Sequence, residues 1–371
     1  MAVLGATGFA TVEEYLFIES TTWSPWCNCE ALVTVVGSGG SGALGGYSSG
    51  TYINACASGG GAGAAAKSKL TLSKDVTYTI TAGARGAAPS AGVSAAAGGA
   101  GNTSSFAGSD ITDMSANGGA GGTVASGNAH ENVSLTGAAG GSAGSTGNLW
   151  NTAGGSAGNM TLSFSSPTNH YSNSYGTGGG SVGIYGYNGF SSGNVANSTN
   201  TVYSYRFCGT GGAGTGAATG TADPNAGTNI GGQGGPGLKG ATTANGNTLG
   251  QTGAPDNLLR YPPNNYFTYH YGDSTIPVYQ TGWLSGNYTA HTEAGIGIGG
   301  HSQNNNNTDA CAGFFAGGGV QCGTGTQAQS GGKAFLGGGG GPYLAHSSST
   351  SNQPGQGGQG FIHIQIIKWN I

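Results

Sequence analysis

Charge is what this sequence has least of: nine basic and thirteen acidic residues among 371, with a formal net charge of −4. Nine cations scattered over the whole length make no positive stripe of the kind that neutralises a phosphate backbone, so nucleic acid is excluded as the main partner. Long apolar runs are also missing. The longest are of strand length, well short of the ~20 residues that cross a bilayer as a helix, and no membrane insertion is expected. The first twenty residues, MAVLGATGFATVEEYLFIES, carry neither the basic region nor the apolar core of a secretory signal, so export by that route is not expected. Six cysteines are too few to staple a chain of this size, and they are expected to be reduced. Cys27 and Cys29 flank Asn28 at strand spacing with both thiols on one face, but a zinc site needs wider cysteine pairs and further ligands nearby; no metal and no cofactor are assigned.

What the sequence has in abundance is glycine, 81 residues of it, beside 36% apolar residues. Chains stay unfolded through low hydrophobicity combined with high net charge, and the second condition fails here, so order is expected in place of a flexible linker. Glycine loses the most backbone entropy on folding, and a fold this rich in it needs dense backbone hydrogen bonding and well-packed strand walls in return. The run 231–240, GGQGGPGLKG, repeats glycine at 231, 234, 237 and 240. Shorter copies of that period lie at 118–122, at Gly141, Gly144 and Gly147, at Gly211 and Gly214, and at 355–360. Three residues per turn is the polyproline II helix, which has no internal hydrogen bonds and places every third residue on one face. No copy is long enough for a collagen triple helix, which needs an unbroken register, so short extended segments stacked side by side are expected.

The strand signals surround these runs. Residues 15–18 (YLFI) read as a short strand, 22–26 as a turn around Pro25, and Cys29–Val36 as a strand buried on both faces. The next six residues, GSGGSG at 37–42, match the dinucleotide fingerprint directly after a strand. The match is a decoy, because 43–50 is too rich in glycine and serine to open a helix and no acidic residue occurs between Glu30 and Asp75. The near misses of a phosphate loop at Lys67-Ser68 and Gly332-Lys333 each lack a required partner. Residues 69–72 and 76–81 flank Ser73-Lys74-Asp75 and predict a hairpin with Val76, Tyr78 and Ile80 inward. Short strands are predicted at 103–106 and 111–114. At the end, Ile362, Ile364 and Ile366 share one face of the clearest strand in the chain, whose natural partner is the VTVV strand after Cys29.

In this order (an aromatic N-terminal strand, V-T-V-V into a glycine run, L-T-L…V-T-Y-T-I-T-A-G, T-S-S-F, Gly-Gly-Ala-Gly-Gly, then a final glycine run and β-branched strand) the chain resembles the glycine-rich domain of phage tail-fibre and virion appendage proteins. Its composition is similar to that of adhesins built as polyglycine II sandwiches. The resemblance covers residues 23–122 and 337–371. It implies an all-β fold with jelly-roll-like β-sandwich walls, closed by N- and C-terminal strands around a glycine-rich polyproline/polyglycine II interior. It also implies a non-enzymatic virion protein displayed as a fibre or adhesin, with other virion proteins and a host cell-surface glycan or protein as partners, forming a homo-oligomer on the particle. A capsid-decorating or head-fibre protein without receptor binding is the alternative. An extracellular or ice-binding polyglycine protein is a third, although ice binding calls for a regular threonine-rich face and the repeated spacing Thr77-x-Thr79-x-Thr81 occurs only near Val76.

Two segments depart from the plain pattern. Residues 1–30 hold four of the thirteen acidic residues with Trp23 and Trp26, and read as a particle anchor preceding the glycine-rich domain at 31–371. An insert at about 171–300 is rich in tyrosine set among Asn, Ser, Thr and Gly, the composition of antibody paratopes, where rigid aromatic area comes at small entropic cost. Its densest part gives the expected recognition residues Tyr261, Tyr266, Phe267, Tyr269, Tyr271, Trp283 and Tyr288, although aromatics also serve as filler between glycine-lined segments. No catalysis is expected. Asp223, Asp256, Asp273, Glu293 and Asp309 are isolated in sequence, and the histidines at 130, 170, 270, 291, 301, 346 and 363 show no metal-binding spacing.

Overall fold

The computed structural model describes residues 3–4, 10–11, 13–46, 53–92, 94–128, 132–143, 146–163, 173–183, 186–196, 207–210, 212–214, 219, 221, 229–231, 299, 303–304, 315–323, 331–345 and 353–369. Over these residues the protein is all-β, with no helix. The alternating C-terminal strand Phe361–Trp369 is an interior strand of one five-stranded sheet, next to its edge. It pairs antiparallel with Cys29–Val36 on one side, as its sequence predicts, and with Glu13–Phe17 on the other. Ala65–Leu72 and then Trp150–Thr152 complete the sheet beyond Cys29–Val36. Ile362, Ile364 and Ile366 oppose Val35, Val33 and Ala31, and all six side chains are buried in one core. Cys29–Val36 is buried on its other face too, at Leu32 and Val36, with only Glu30 and Thr34 partly exposed.

A second sheet, ordered Met114–Ala116, Ser104–Ala107, Tyr78–Thr81 and Thr21–Trp23, faces that core. Phe106, Met114, Ile80 and Tyr78 meet the isoleucines of the first sheet there, with the rings of Tyr78 and Phe106 stacked at 5.1 Å. This arrangement overturns the hairpin predicted at 69–81. The two strands are real and Tyr78 and Ile80 point inward, but Ala65–Leu72 belongs to the first sheet and Tyr78–Thr81 to the second, so residues 73–77 turn a corner between layers. The reason lies in which side chains are apolar. Leu72 and Tyr78 are both fully buried between the sheets, and pairing their strands edge to edge would leave the second layer without its largest rings. A polar tie holds the corner: the Ser73 amide donates to the Tyr78 hydroxyl at 2.8 Å, which donates to Asp110 at 2.7 Å. The strand expected at 111–114 begins only at Met114, because residues 108–113 form a turn.

The GSGGSG run follows Cys29–Val36 without a helix, and it is buried throughout. Its amides take turns among three neighbours. Those of Gly37, Gly40 and Ala43 donate to the carbonyls of Ala64, Gly61 and Ser58, those of Ser38, Ser41 and Leu44 to Asn102, Gly99 and Ala96, and those of Gly39 and Gly42 to Gly358 and Gly355. Its carbonyls accept from Gly86, Gly119, Gly122 and Gly340. The same period explains the composition. A Cβ on Gly37 or Gly40 would collide with the backbone at Asn117 and Ala120, and one on Gly39 or Gly42 with the backbone at Gly338 and Gly341. Only the third face has room, and serine occupies it. Ser38 donates to Ala84 and accepts from the Asn102 amide, while Ser41 donates to Ala87 and accepts from the Gly99 amide. The motif that imitates a dinucleotide loop thus records which faces touch backbone. Of the longer period at 231–240, only Gly231 lies within the described residues.

Beyond the glycine segments the chain re-enters sheets. Ile53–Ser58 pairs antiparallel with Val124–Asn128 and parallel with Asn173–Thr177, which continues to Phe207–Gly209 and Asn229–Gly231. Leu44–Gly45, Tyr343–Ala345, Gln321–Gly323 and Gln303–Asn304 form a parallel sheet, and Val133–Leu135, Met160–Leu162 and Val195–Ala196 a smaller mixed one. Separate apolar clusters seal this end: Ala43, Ala57, Val320, Cys322 and Leu344 in one, and Cys56, Leu135, Met160, Leu162 and Tyr175 among those of another. The strands that flank the described glycine segments thus contribute to several separate apolar clusters.

Gly40→Val should cost more than the ~1–3 kcal/mol typical of overpacking, because the obstruction is a backbone carbonyl with no rotamer to yield. Gly92→Val is the control, since a Cβ there meets nothing nearer than 4.0 Å, and it should stay within about 0.5 kcal/mol of the parent. Equal melting temperatures for the two variants would contradict the close approach.

Candidate functional site

The expected recognition residues Tyr261, Tyr266, Phe267, Tyr269, Tyr271, Trp283 and Tyr288 lie outside the described residues, as do Asp223, Asp256, Asp273, Glu293 and Asp309. Of the histidines weighed above, only His363 is described. The two expected anchor residues part company. Trp23 packs against the main core, its ring 5.3 Å from Tyr15 and 6.0 Å from Tyr78. Trp26 is 64% exposed, with its ring 4.7 Å from Trp369 at the end of the C-terminal strand. A second exposed apolar patch, Leu149 and Tyr187, flanks Trp150, whose ring lies over Gly186.

The densest polar constellation lies on the outer face of the five-stranded sheet. The cross-strand register puts Lys67, Thr34, His363 and Leu16 in one row, and Lys69, Leu32, Gln365 and Glu14 in the next. Lys67 Nζ donates to Gln365 Oε1 at 3.4 Å, and Gln365 Nε2 donates to Glu14 Oε1 at 3.2 Å. The other carboxylate oxygen of Glu14 lies 3.4 Å from His363 Nε2. Glu14 and His363 are only 14% and 18% exposed. Burial lowers the pKa of the Lys67 ammonium below its ordinary value, against an opposing pull from Glu14. At the open end of the sheet, the Lys69–Glu30 pair at 2.8 Å is solvated and holds the Glu30 carboxyl below its usual range through its hydrogen bond and charge.

Sequence reasoning passed over this group. In sequence, Lys67 stands out only as part of a failed phosphate loop, and His363 only as one of the histidines without metal-binding spacing. The usable signal was alternation in the last strand, where His363 and Gln365 sit between buried isoleucines on the face opposite the core. Glu14, some 350 residues away, could be joined to them only by knowing which strands pair.

Cys29, Cys56 and Cys322 are free thiols, and among the described residues no cluster of three or more His, Cys, Asp or Glu could hold a metal. Burial, with smaller contributions from Cys27 and Glu13, pushes the Cys29 thiol up to about 11, and burial pushes Cys322 up to about 12 and raises Cys56 as well. A thiol reagent applied to the native protein near pH 8 should therefore modify Cys27, which is partly exposed, and spare Cys29, Cys56, Cys208 and Cys322. Peptide mapping checks this, and rapid labelling of Cys29 would mean that the five-stranded sheet opens.

No protein-family model matches this chain, and no curated protein sequence matches it significantly.

Proposed function

We propose that this chain is a non-enzymatic structural protein of a tailed-phage virion, displayed as a fibre or adhesin whose aromatic insert contacts the host surface. The observation that carries the reading is the three-neighbour hydrogen bonding of 37–44. On this reading the glycine segments are polyglycine II helices packed side by side, since three residues per turn sends successive amides to three different neighbours. The sheets at their ends are the walls of a β-sandwich, closed where Glu13–Phe17 and Phe361–Trp369 pair. Such a body suits a particle exposed to shear and protease: its backbone bonds are mutually satisfied, and loops leaving it can vary without disturbing the lattice. The resemblance to glycine-rich phage appendage domains points the same way.

Residues 1–30 take the particle side on this proposal. Trp23 is committed to the core, so the anchoring contact falls to exposed Trp26 with Trp369 beside it. The tyrosine-rich insert takes the host side, where aromatic faces stack on sugar rings.

Two measurements test the proposal. Gold-labelled antibody against the chain should decorate virions at an appendage. Replacing Tyr266, Tyr269 and Tyr271 together by serine should leave particle incorporation intact and reduce adsorption to the host by tenfold or more, roughly the loss of one or two well-packed aromatic contacts. Label on the head with normal adsorption would instead favour a capsid-decorating protein, and failure of the triple variant to fold would make those rings core.

A further inference from the structure

The Lys67–Gln365–Glu14–His363 group holds the parts of a bond-forming reaction. The carboxamide orientation is fixed by its partners: an ammonium or amine hydrogen can only be donated to the oxygen, and a carboxylate can only accept from the nitrogen. The carbonyl of Gln365 therefore faces the Lys67 side chain, and its nitrogen faces Glu14. With Nζ 3.4 Å from Oε1, and the carbonyl bond about 1.2 Å long, Nζ is within about 4.6 Å of the amide carbon. Attack requires Nζ to close to the ~3–3.5 Å of a reacting pair, a shift of about 1 Å.

We propose that Lys67 and Gln365 join spontaneously in an isopeptide bond that staples the C-terminal strand to Ala65–Leu72 across Cys29–Val36. Nζ, as the free amine, forms the new bond to Cδ of Gln365. The bond from Cδ to Nε2 breaks, and Nε2 leaves as ammonia. Glu14 already accepts a hydrogen from Nε2, so as the acid it returns a proton to the departing nitrogen, and as the carboxylate it takes the one shed by Nζ. His363 Nε2, 3.4 Å from the other oxygen of Glu14, positions that carboxylate. Starting from the lysine ammonium, the balance is ammonium plus carboxamide giving secondary amide plus ammonium ion, with no oxidant and no cofactor. Partial burial supports the step by favouring the neutral amine.

The geometry gives the bond a mechanical role that the hydrogen-bonded ladder lacks. Phe361–Trp369 is otherwise retained in its sheet by backbone bonds that can break one at a time and by the packing of Ile362, Ile364 and Ile366. A covalent link between positions 298 residues apart would close a loop around most of the polypeptide and hold that strand against such stepwise loss.

Mass spectrometry of the intact, purified full chain tests this. The wild type should weigh about 17 Da less than its sequence, one ammonia, and tandem sequencing should find a branched peptide joining the segments that contain Lys67 and Gln365. Lys67→Arg and Gln365→Met should each restore the full mass. Glu14→Gln should slow bond formation by roughly a hundredfold, visible as uncrosslinked chain in freshly made protein. Full sequence mass in wild type after prolonged incubation would overturn the proposal. So would a deficit that persists in Lys67→Arg, since ring closure at an Asn-Gly pair such as Asn188-Gly189 also sheds ammonia. Because the first result is read on wild type, a variant that failed to fold would not shield the proposal.

Discussion

The structure depends on backbone meeting backbone where a side chain would normally stand. At Gly37, Gly40, Gly60, Gly63, Gly118 and Gly121, the space that a Cβ would take is filled by a carbonyl of a neighbouring segment. This closeness is what lets an extended segment hydrogen-bond to several neighbours, and it compensates for the entropy that glycine loses on ordering. Hydrophobic burial cannot be the main term within these segments, because glycine has no side chain to bury. It acts in the flanking strands, where Ile362, Ile364, Phe106 and Tyr78 belong to one apolar cluster and Leu344, Met160 and Tyr175 to others. Those strands are thereby fixed by side-chain packing, while the glycine segments are fixed by backbone hydrogen bonds.

Much of the strand content was legible because period two is a strong signal. The alternation in residues 361–369 revealed the buried face and, with the VTVV run, its partner. The alternation in 76–81 revealed the inward Tyr78 and Ile80 but not the sheet to which they belong, because a two-layer corner and a hairpin place the same residues inward. Only the long-range contact with Phe106 distinguishes the two, and local sequence does not encode it. The polar group on the outer face was hidden for a related reason. Glu14, Lys67 and Gln365 lie on three different strands, and their meeting is a consequence of strand order, 3.4 Å and 3.2 Å contacts arising from segments hundreds of residues apart. Within the aromatic insert, Tyr175 is buried in an apolar cluster while Tyr187 is exposed, so similar polar-flanked tyrosines serve there both as core and as surface.

The serines within glycine runs carry information that a composition count discards. Ser38 and Ser41 sit three apart and each hydroxyl both donates and accepts across to neighbouring backbone. Ser58, Ser192 and Thr210 are buried among backbone groups in the same manner. A polar side chain is tolerated in these settings because buried hydroxyls are costly only when unpaired, and densely packed amides and carbonyls supply partners in every direction. Glycine-serine patterning that elsewhere marks a flexible linker is here tied to position, with glycine on faces against backbone and serine on the face that remains.

A chain that passes from a strand into a glycine segment changes its twist far more than its length. If the glycine segments are polyglycine II as proposed, a strand advancing about 3.3 Å per residue passes into a three-per-turn chain advancing about 3.1 Å, so neighbouring chains stay aligned across the junction. What changes is direction: side chains and amides that alternated between two sides now rotate among three. Pairing in a plane becomes pairing in all directions, and this is how two sheets can merge into one body. The run 37–44, continuing Cys29–Val36 of the first sheet, bonds to 58–64 and 355–358, which lead to Ala65–Leu72 and Phe361–Trp369 of the same sheet. It bonds equally to 96–102, which leads to Ser104–Ala107 of the second. One segment thus belongs to both layers, and the spacing of the sheets is set by backbone contact at the glycines as much as by the isoleucines, phenylalanine and tyrosine packed between them. Enlarging a side chain in the core strains one cluster; enlarging a glycine at the junction strains the registration of both sheets together.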